Sequence, residues 1–329
     1  MSGSLQVSLS QSGPIPLAAA FDCAPGEMLA LVGPSGSGKS TILRSIAGLY
    51  APAAGRIAVG EALWYDTEAG ANVAPHRRRA GLVFQNYALF PHMTAAENVA
   101  AALTHMRRPE RRERAGELLA AVHLAGLEER RPAELSGGQQ QRVAVARALA
   151  RDPDVLLLDE PFSAVDRATR QRLYRELAAM RQNLRMPVVL VTHDLEEAAM
   201  LADRMCVLSR GRTLQTGAPE EITARPRSAD VARLLGLRNL FTATVLRHED
   251  GARTLLDWNG IIVEMPHAPK FPPGMPVEWL IPEGFVVMHR RDRPSRGERE
   301  NRVEGRVASI IATGPMAQVV MSTASAPET

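Results

Sequence analysis

The stretch "GPSGSGKST", residues 33–41, decides the fold. It fits the pattern G-x-x-x-x-G-K-[ST], with Gly33, Gly38, Lys39 and Ser40 in the fixed places. The apolar "MLALV" before it reads as a buried strand, and "TILRSIAGL" after it has helical spacing with Gly48 near a C-cap. In a strand, loop and helix of this kind, glycines let backbone N–H groups turn inward around phosphates, and the helix start adds its positive dipole end. Gly33, Pro34, Ser35, Gly36, Ser37, Gly38, Lys39, Ser40 and Thr41 are therefore candidate nucleotide contacts. Lys39 is expected to neutralise the β and γ phosphates, and Ser40 to offer its hydroxyl to Mg2+.

A phosphate loop needs a second strand carrying carboxylates. "DVLLLDEP", residues 154–161, reads as a buried parallel strand ending in Asp159 and Glu160. The expectation is Asp159 on Mg2+ and Glu160 as the general base that polarises the attacking water. Between the two strands lies "ELSGGQQQRVAVARALA". Ser136 has the chemistry of an N-cap there, and Gly137 and Gly138 would expose backbone N–H groups at a helix start, a second anion site in one chain.

The bulk numbers exclude several classes. A chain of 329 residues suggests two domains, and 45% hydrophobic with 23% charged residues is ordinary for a globular protein. A net charge of +3 and 4% aromatics do not argue for nucleic acid, which is not expected as a partner. No apolar run approaches the roughly 20 residues needed to span a bilayer, so work at a membrane would go through partners. Cys23 and Cys206 stand among apolar neighbours and read as buried thiols in a reducing compartment.

Taken together, these motifs closely resemble the ATP-binding cassette (ABC) family over about residues 26–225. Leu135 to Gln139 spell its LSGGQ; Gln85 in "GLVFQNYALFPHMT" looks like its Q-loop glutamine, "FSAVD" at 162–166 like its D-loop, and His193 in "VLVTHD" like its switch histidine. The resemblance implies an ATPase working as a head-to-tail homodimer, with ATP between the phosphate loop of one copy and LSGGQ of the other. Ser136, Gly137, Gly138 and Gln139 would complete the partner's γ-phosphate cage, Gln85 would contact Mg2+ or the water, His193 the γ-phosphate, and Asp166 would link the two sites. The implied cofactors are ATP and Mg2+. One departure is visible: the family usually stacks adenine on an aromatic residue about two dozen positions before the phosphate loop, and "VSLSQSGPIPLA" has none, while Phe21 reads as a core strand residue.

The expected architecture is an α/β P-loop NTPase cassette with a helical subdomain, followed by a small all-β, barrel-like C-terminal domain. Its boundaries are 1–223 for the cassette, about 88–150 for the helical subdomain, 224–239 for a linker and 240–329 for the β domain. "RRPERRERAGE" reads as a solvated helix face. In the tail, "LFTATVL", "RTLLDW", "IIVEM", "VEWLIP", "FVVM", "GRVASII" and "AQVVM" read as strands, and Asn259-Gly260 as a type I′ hairpin turn. Such a tail resembles the regulatory domain of importer cassettes. That implies two transmembrane permease subunits, an extracytoplasmic solute-binding protein and a peripheral place on the cytoplasmic face of the membrane.

For the solute, "LWYDTEAGANVAPHRRRAGLVFQNYALFPH" resembles the molybdate importers, which implies molybdate or a related oxyanion as the expected solute, and Asn301, Gly305, Val307 and Ile310 match the small molybdate-binding barrel. Glu298 and Glu300 stand where that barrel's serine and arginine would meet the oxyanion. Two carboxylates repel a divalent anion, so the tail is not expected to sense molybdate. Sulfate, ferric iron, polyamine and sugar importers share the cassette motifs and stay open, as does a non-transport ABC ATPase.

Overall fold

The computed structural model describes residues 3–163, 167–181, 184–249, 251–290, 292, 300–313 and 316–323. The chain divides into two compact units, residues 1–227 and 228–329.

The first unit runs β1 (Leu5–Gln11), β2 (Leu17–Cys23), β3 (Met28–Val32), α1 (Lys39–Ile46), β4 (Ala54–Val59), β5 (Ala62–Asp66), β6 (Ala71–Asn72), β7 (Ala80–Val83), α2 (Ala95–Ala100), α3 (Arg108–Ala121), α4 (Gly137–Leu149), β8 (Val155–Asp159), α5 (Arg167–Arg181), β9 (Val188–Thr192), α6 (Leu195–Leu201), β10 (Arg204–Ser209), β11 (Arg212–Gly217) and α7 (Pro219–Ala224). One sheet takes the order β6-β5-β4-β1-β2-β11-β10-β3-β9-β8-β7. Its β10-β3-β9-β8-β7 part is parallel, and every residue of β3, β8 and β9 is buried. Strands apolar at every position need cover on both faces. Leu29, Leu31, Leu157 and Val191 pack on one face with Ile42, Leu43 and Ile46 of α1. Met28, Leu156, Leu158 and Leu190 pack on the other with Leu119 of α3, Val143 of α4 and Leu173 and Tyr174 of α5.

Several local expectations hold for physical reasons. Gly48 has φ 79 and ends α1, as a left-handed C-cap requires. Thr94 and Glu97, unmarked in the sequence reading, close a capping box that starts α2. On α3, Arg112 and Arg114 pair with Glu129 and Glu117 on the exposed face. Phe21 and both cysteines are buried, and burial raises the Cys23 thiol to about 12. Among the described residues, no helix is long and apolar enough to cross a membrane.

The second unit holds α8 (Ala229–Leu234), β12 (Leu240–Glu249), β13 (Arg253–Trp258), β14 (Ile261–Pro266), β15 (Pro276–Leu280), β16 (Gly305–Thr313) and β17 (Met316–Thr323). α8 falls inside the stretch read as a linker, because Ser228 Oγ accepts from Val231 N and caps its first turn. The strands are antiparallel, in a four-stranded sheet of order β14-β13-β12-β15 and a separate β16-β17 hairpin. Asn259 (φ 51) and Gly260 (φ 87) make the two-residue turn between β13 and β14. The strand expected at "FVVM" is absent: Phe285 N and Val286 N donate to Pro282 O and Glu283 O, forming a 3-10 turn that leaves Phe285 to Met288 exposed. Asn301 spends its side chain on the Glu264 backbone, accepting from its N–H at 2.7 Å and donating to its carbonyl at 2.8 Å. It acts as a strand mimic along β14, while Glu298 lies outside the described residues.

Candidate nucleotide site

The phosphate loop joins β3 to α1 at the C-terminal edge of the parallel strands, where an α/β sheet opens its ligand crevice. Its glycines answer two different demands. Gly36 (φ 79) and Gly38 (φ 93) take left-handed backbone, whereas a Cβ on Gly33 would lie 2.2 Å from Leu208 O of β10. Lys39 is 5% exposed, and its ammonium donates to Gly33 O at 2.7 Å and Pro34 O at 2.9 Å. Burial lowers its pKa, against the pull of Glu160 and Asp159. Ser37 Oγ is buried with no hydrogen-bond partner among the described residues.

Ser40 Oγ donates to Asp159 Oδ1 at 2.9 Å, so the hydroxyl and carboxylate from opposite motifs meet at one point. Burial pushes the Asp159 carboxyl up, and the Ser40 bond opposes it. An all-oxygen pair of this kind suits a hard divalent cation such as Mg2+. The next residue, Glu160, has φ 44, a strained conformation for a glutamate and one held at functional sites. Its Oε2 lies 3.3 Å from His193 Nδ1 and accepts a long bond, 3.4 Å, from Gln85 Nε2. Gln85, Glu160 and His193 therefore converge from the ends of β7, β8 and β9, although 75 residues separate the first two.

A profile of the ABC transporter family matches residues 18–163. The spermidine/putrescine import ATP-binding protein PotA of Acidothermus cellulolyticus is 41% identical over 305 residues, covering 92% of this chain and 77% of that protein. The chain belongs to the ABC transporter family of ATP-binding proteins. The Fe(3+) ions import ATP-binding protein FbpC 1 of Rhizobium meliloti is 48% identical over 227 residues, covering 68% of this chain and 62% of that protein. A solved dimeric ATP-binding cassette, in a post-hydrolysis state bound to ADP and Pi, superposes with TM-score 0.54 at 32% identity, covering 65% of this chain and 98% of that one. The ABC cassette here is an ATPase of the importer group, and its fold is that of the cassette.

In this ABC cassette, the LSGGQ stretch caps α4. Ser136 Oγ accepts from Gln139 N at 3.4 Å, and Gln139 Oε1 accepts from Ser136 N at 2.9 Å. Ser136 and Gly137 are exposed, while Gly138 is buried and a Cβ there would lie 2.6 Å from Leu173 Cδ2 on α5. Packing against Leu173 thus favours glycine at 138. Among the described residues, no hydrogen bond or ion pair joins LSGGQ to the phosphate loop. Asp166 lies outside the described residues.

Sequence reasoning missed three side chains that hold the site, Arg147 half-buried and Arg78 and Glu197 buried. Arg147 of α4 donates to Tyr87 O and Ala88 O, each at 2.8 Å, and both carbonyls belong to residues in left-handed backbone just after Gln85. Arg78 is 3% exposed and clamps the last turn of α1. Glu197 is 4% exposed behind His193. No local pattern marks them: Arg78 and Arg147 bond carbonyls as far as 33 and 60 residues away, and Glu197 bonds Thr192 at the end of the preceding strand.

Proposed function

We propose that this ATPase powers solute import as a head-to-tail homodimer, with ATP bound between the phosphate loop of one copy and LSGGQ of the other. The observation that carries the reading is Glu160 within 3.4 Å of both Gln85 Nε2 and His193 Nδ1, two strands from a phosphate loop and beside the Ser40–Asp159 pair. Glu160 takes the proton of the attacking water, and Gln85 and His193 orient that water and the γ-phosphate oxygens. Lys39 leaves the loop carbonyls it now caps and neutralises the β and γ phosphates, with N–H groups of residues 33–41 around them. Ser40, Asp159 and Gln85 would hold Mg2+, which would supply positive charge to the phosphate oxygens. Ser136, Gly137, Gly138 and Gln139 close the partner's site, and Asp166 links the two. Two permease subunits and an extracytoplasmic solute-binding protein complete the complex at the cytoplasmic membrane face.

For the solute, the relative that aligns over 92% of this chain, tail included, is named for spermidine and putrescine. A polyamine is favoured on that ground over the molybdate suggested by residues 63–92, and Asn301 supports no oxyanion site in the tail. Two assays test the reading. Glu160→Gln should bind ATP normally and lose turnover by about a thousandfold; normal turnover would refute the base assignment. Uptake of spermidine, Fe3+, sulfate and molybdate, in cells carrying wild type or Glu160→Gln, should show the loss for spermidine alone. Loss for another solute would reassign the importer without touching the mechanism.

A further inference from the structure

Behind the hydrolytic pair lies a cavity of about 50 Å3, lined by Glu160, Ser163, Arg170, His193, Asp194 and Glu197 among others. Glu197, on α6, is 4% exposed. Its Oε2 accepts from Thr192 Oγ1 at 2.8 Å, and Thr192 Oγ1 accepts in turn from Asp194 N at 2.9 Å. Asp194 Oδ1 then accepts from the N–H groups of Glu196 and Glu197. Residues 192 and 194 flank His193, so this ring of bonds ties Glu197 to both sides of it.

Glu197 Oε1 is buried and has no hydrogen-bond partner among the described residues. Across the cavity stand two further carboxylates, Glu160 and Asp194, and Arg170 Nη1 lies 3.4 Å from Asp194 Oδ2. An ionised Glu197 is acceptor-only and can make no hydrogen bond to either carboxylate; a protonated one has a hydrogen to give. A polar cavity of this size admits water, which needs about 10–15 Å3 of such volume.

We propose that Glu197 is a positioning residue for hydrolysis, a neutral acid whose Oε1–H bonds through water in the cavity to the Glu160 carboxylate, while its Oε2 fixes the strand end that carries His193. This rests on the reading of Glu160 as the base. Burial is the main force holding the proton on Glu197, and it moves the carboxyl to about 8; Asp194 and Glu160 push the same way, and Thr192 and Arg170 oppose. Tyr174 on α5 also faces it, its phenol raised first by burial and then by the Glu197 charge. As pH rises through that value, Glu197 ionises, the bond to Glu160 is lost and a further negative charge enters the cavity. Turnover then falls while ATP binding, made at the phosphate loop, does not.

The first measurement uses the resting full-length chain, so it stands apart from any role of Glu160. Infrared spectroscopy should show a protonated carboxylic C=O band at pH 7 that titrates out near pH 8 and is missing in Glu197→Gln. No such band in wild type overturns the proposal, whether or not any variant folds. The second is the pH profile of kcat and KM for ATP. Wild type should lose kcat on the alkaline side at constant KM; Glu197→Gln should keep its pH 7 rate within about threefold and lose the alkaline limb; Glu197→Ala should fall more than about tenfold. A wild-type alkaline limb in Glu197→Gln would overturn it.

Discussion

Replacing Arg78 by alanine should destabilise the first unit by about 4 kcal/mol, the summed cost of several buried acceptors left unpaired at roughly 1–3 kcal/mol each, less the relief of a desolvated guanidinium. The side chain is 3% exposed and makes five hydrogen bonds: Nε to Val73 O at 2.8 Å, Nη1 to Ser45 O at 2.7 Å and Ile46 O at 2.8 Å, and Nη2 to Trp64 O and Asn72 Oδ1, each at 3.2 Å. Each such bond to a charged donor contributes roughly 1.5–3 kcal/mol, and burying the guanidinium costs several kcal/mol in return. Burial also lowers the Arg78 pKa. What tips the balance is that two of the five acceptors are last-turn carbonyls of α1, which the alanine variant leaves without this donor in a water-poor site. Because α1 begins at the phosphate loop, ATP affinity should fall with stability. Urea unfolding followed by circular dichroism measures the first effect, with Arg77→Ala as control, since Arg77 is exposed and should change stability by less than about 0.5 kcal/mol. A midpoint for Arg78→Ala no lower than that of the control would show that desolvation cancels the bonds and would refute this reasoning.

Arg147→Lys replaces a fork that spans two carbonyls with a single point donor, and should cost roughly 2 kcal/mol on the same unfolding assay. Turnover should drop by about tenfold with little change in ATP binding, because Arg147 joins the helix behind LSGGQ to the loop after Gln85; equal turnover would show that the tether carries no coupling. Without an aromatic ring at Ser12 to Pro16, and with Phe21 buried, GTP should compete with ATP to within roughly tenfold in Kd, about the energy of one lost stacking contact. Competition titration with a fluorescent nucleotide checks this, and a preference above a hundredfold would mean that another group reads the base.

The phosphate loop, the Asp159–Glu160 pair and LSGGQ were legible because their chemistry is local: a turn, a strand end and a helix cap fix the geometry within a few residues. Gln85 and His193 needed the family resemblance, since a single polar residue at a strand end carries no signal of its own. Arg78 was hidden in a run of three arginines, Arg77 to Arg79, of which only the middle one is buried. Glu197 was hidden beside Glu196, one of two adjacent acids on a short helix. Both depend on acceptors or donors supplied from other elements. "FVVM" misled because its apolar run lacks the alternation of a half-buried strand, and Pro282 and Gly284 favour a turn at its start.

The composite site is the central claim, and mixing two inactive variants tests it most directly. Lys39→Ala disables the phosphate loop but leaves LSGGQ, and Ser136→Arg blocks LSGGQ but leaves the phosphate loop. If ATP lies between two copies, the mixture should regain roughly a quarter of wild-type ATPase activity, because half of randomly formed dimers are mixed and each holds one intact site of two. A mixture as inactive as either variant alone, with mixed dimers confirmed by mass, would contradict the account and place the whole site within one chain.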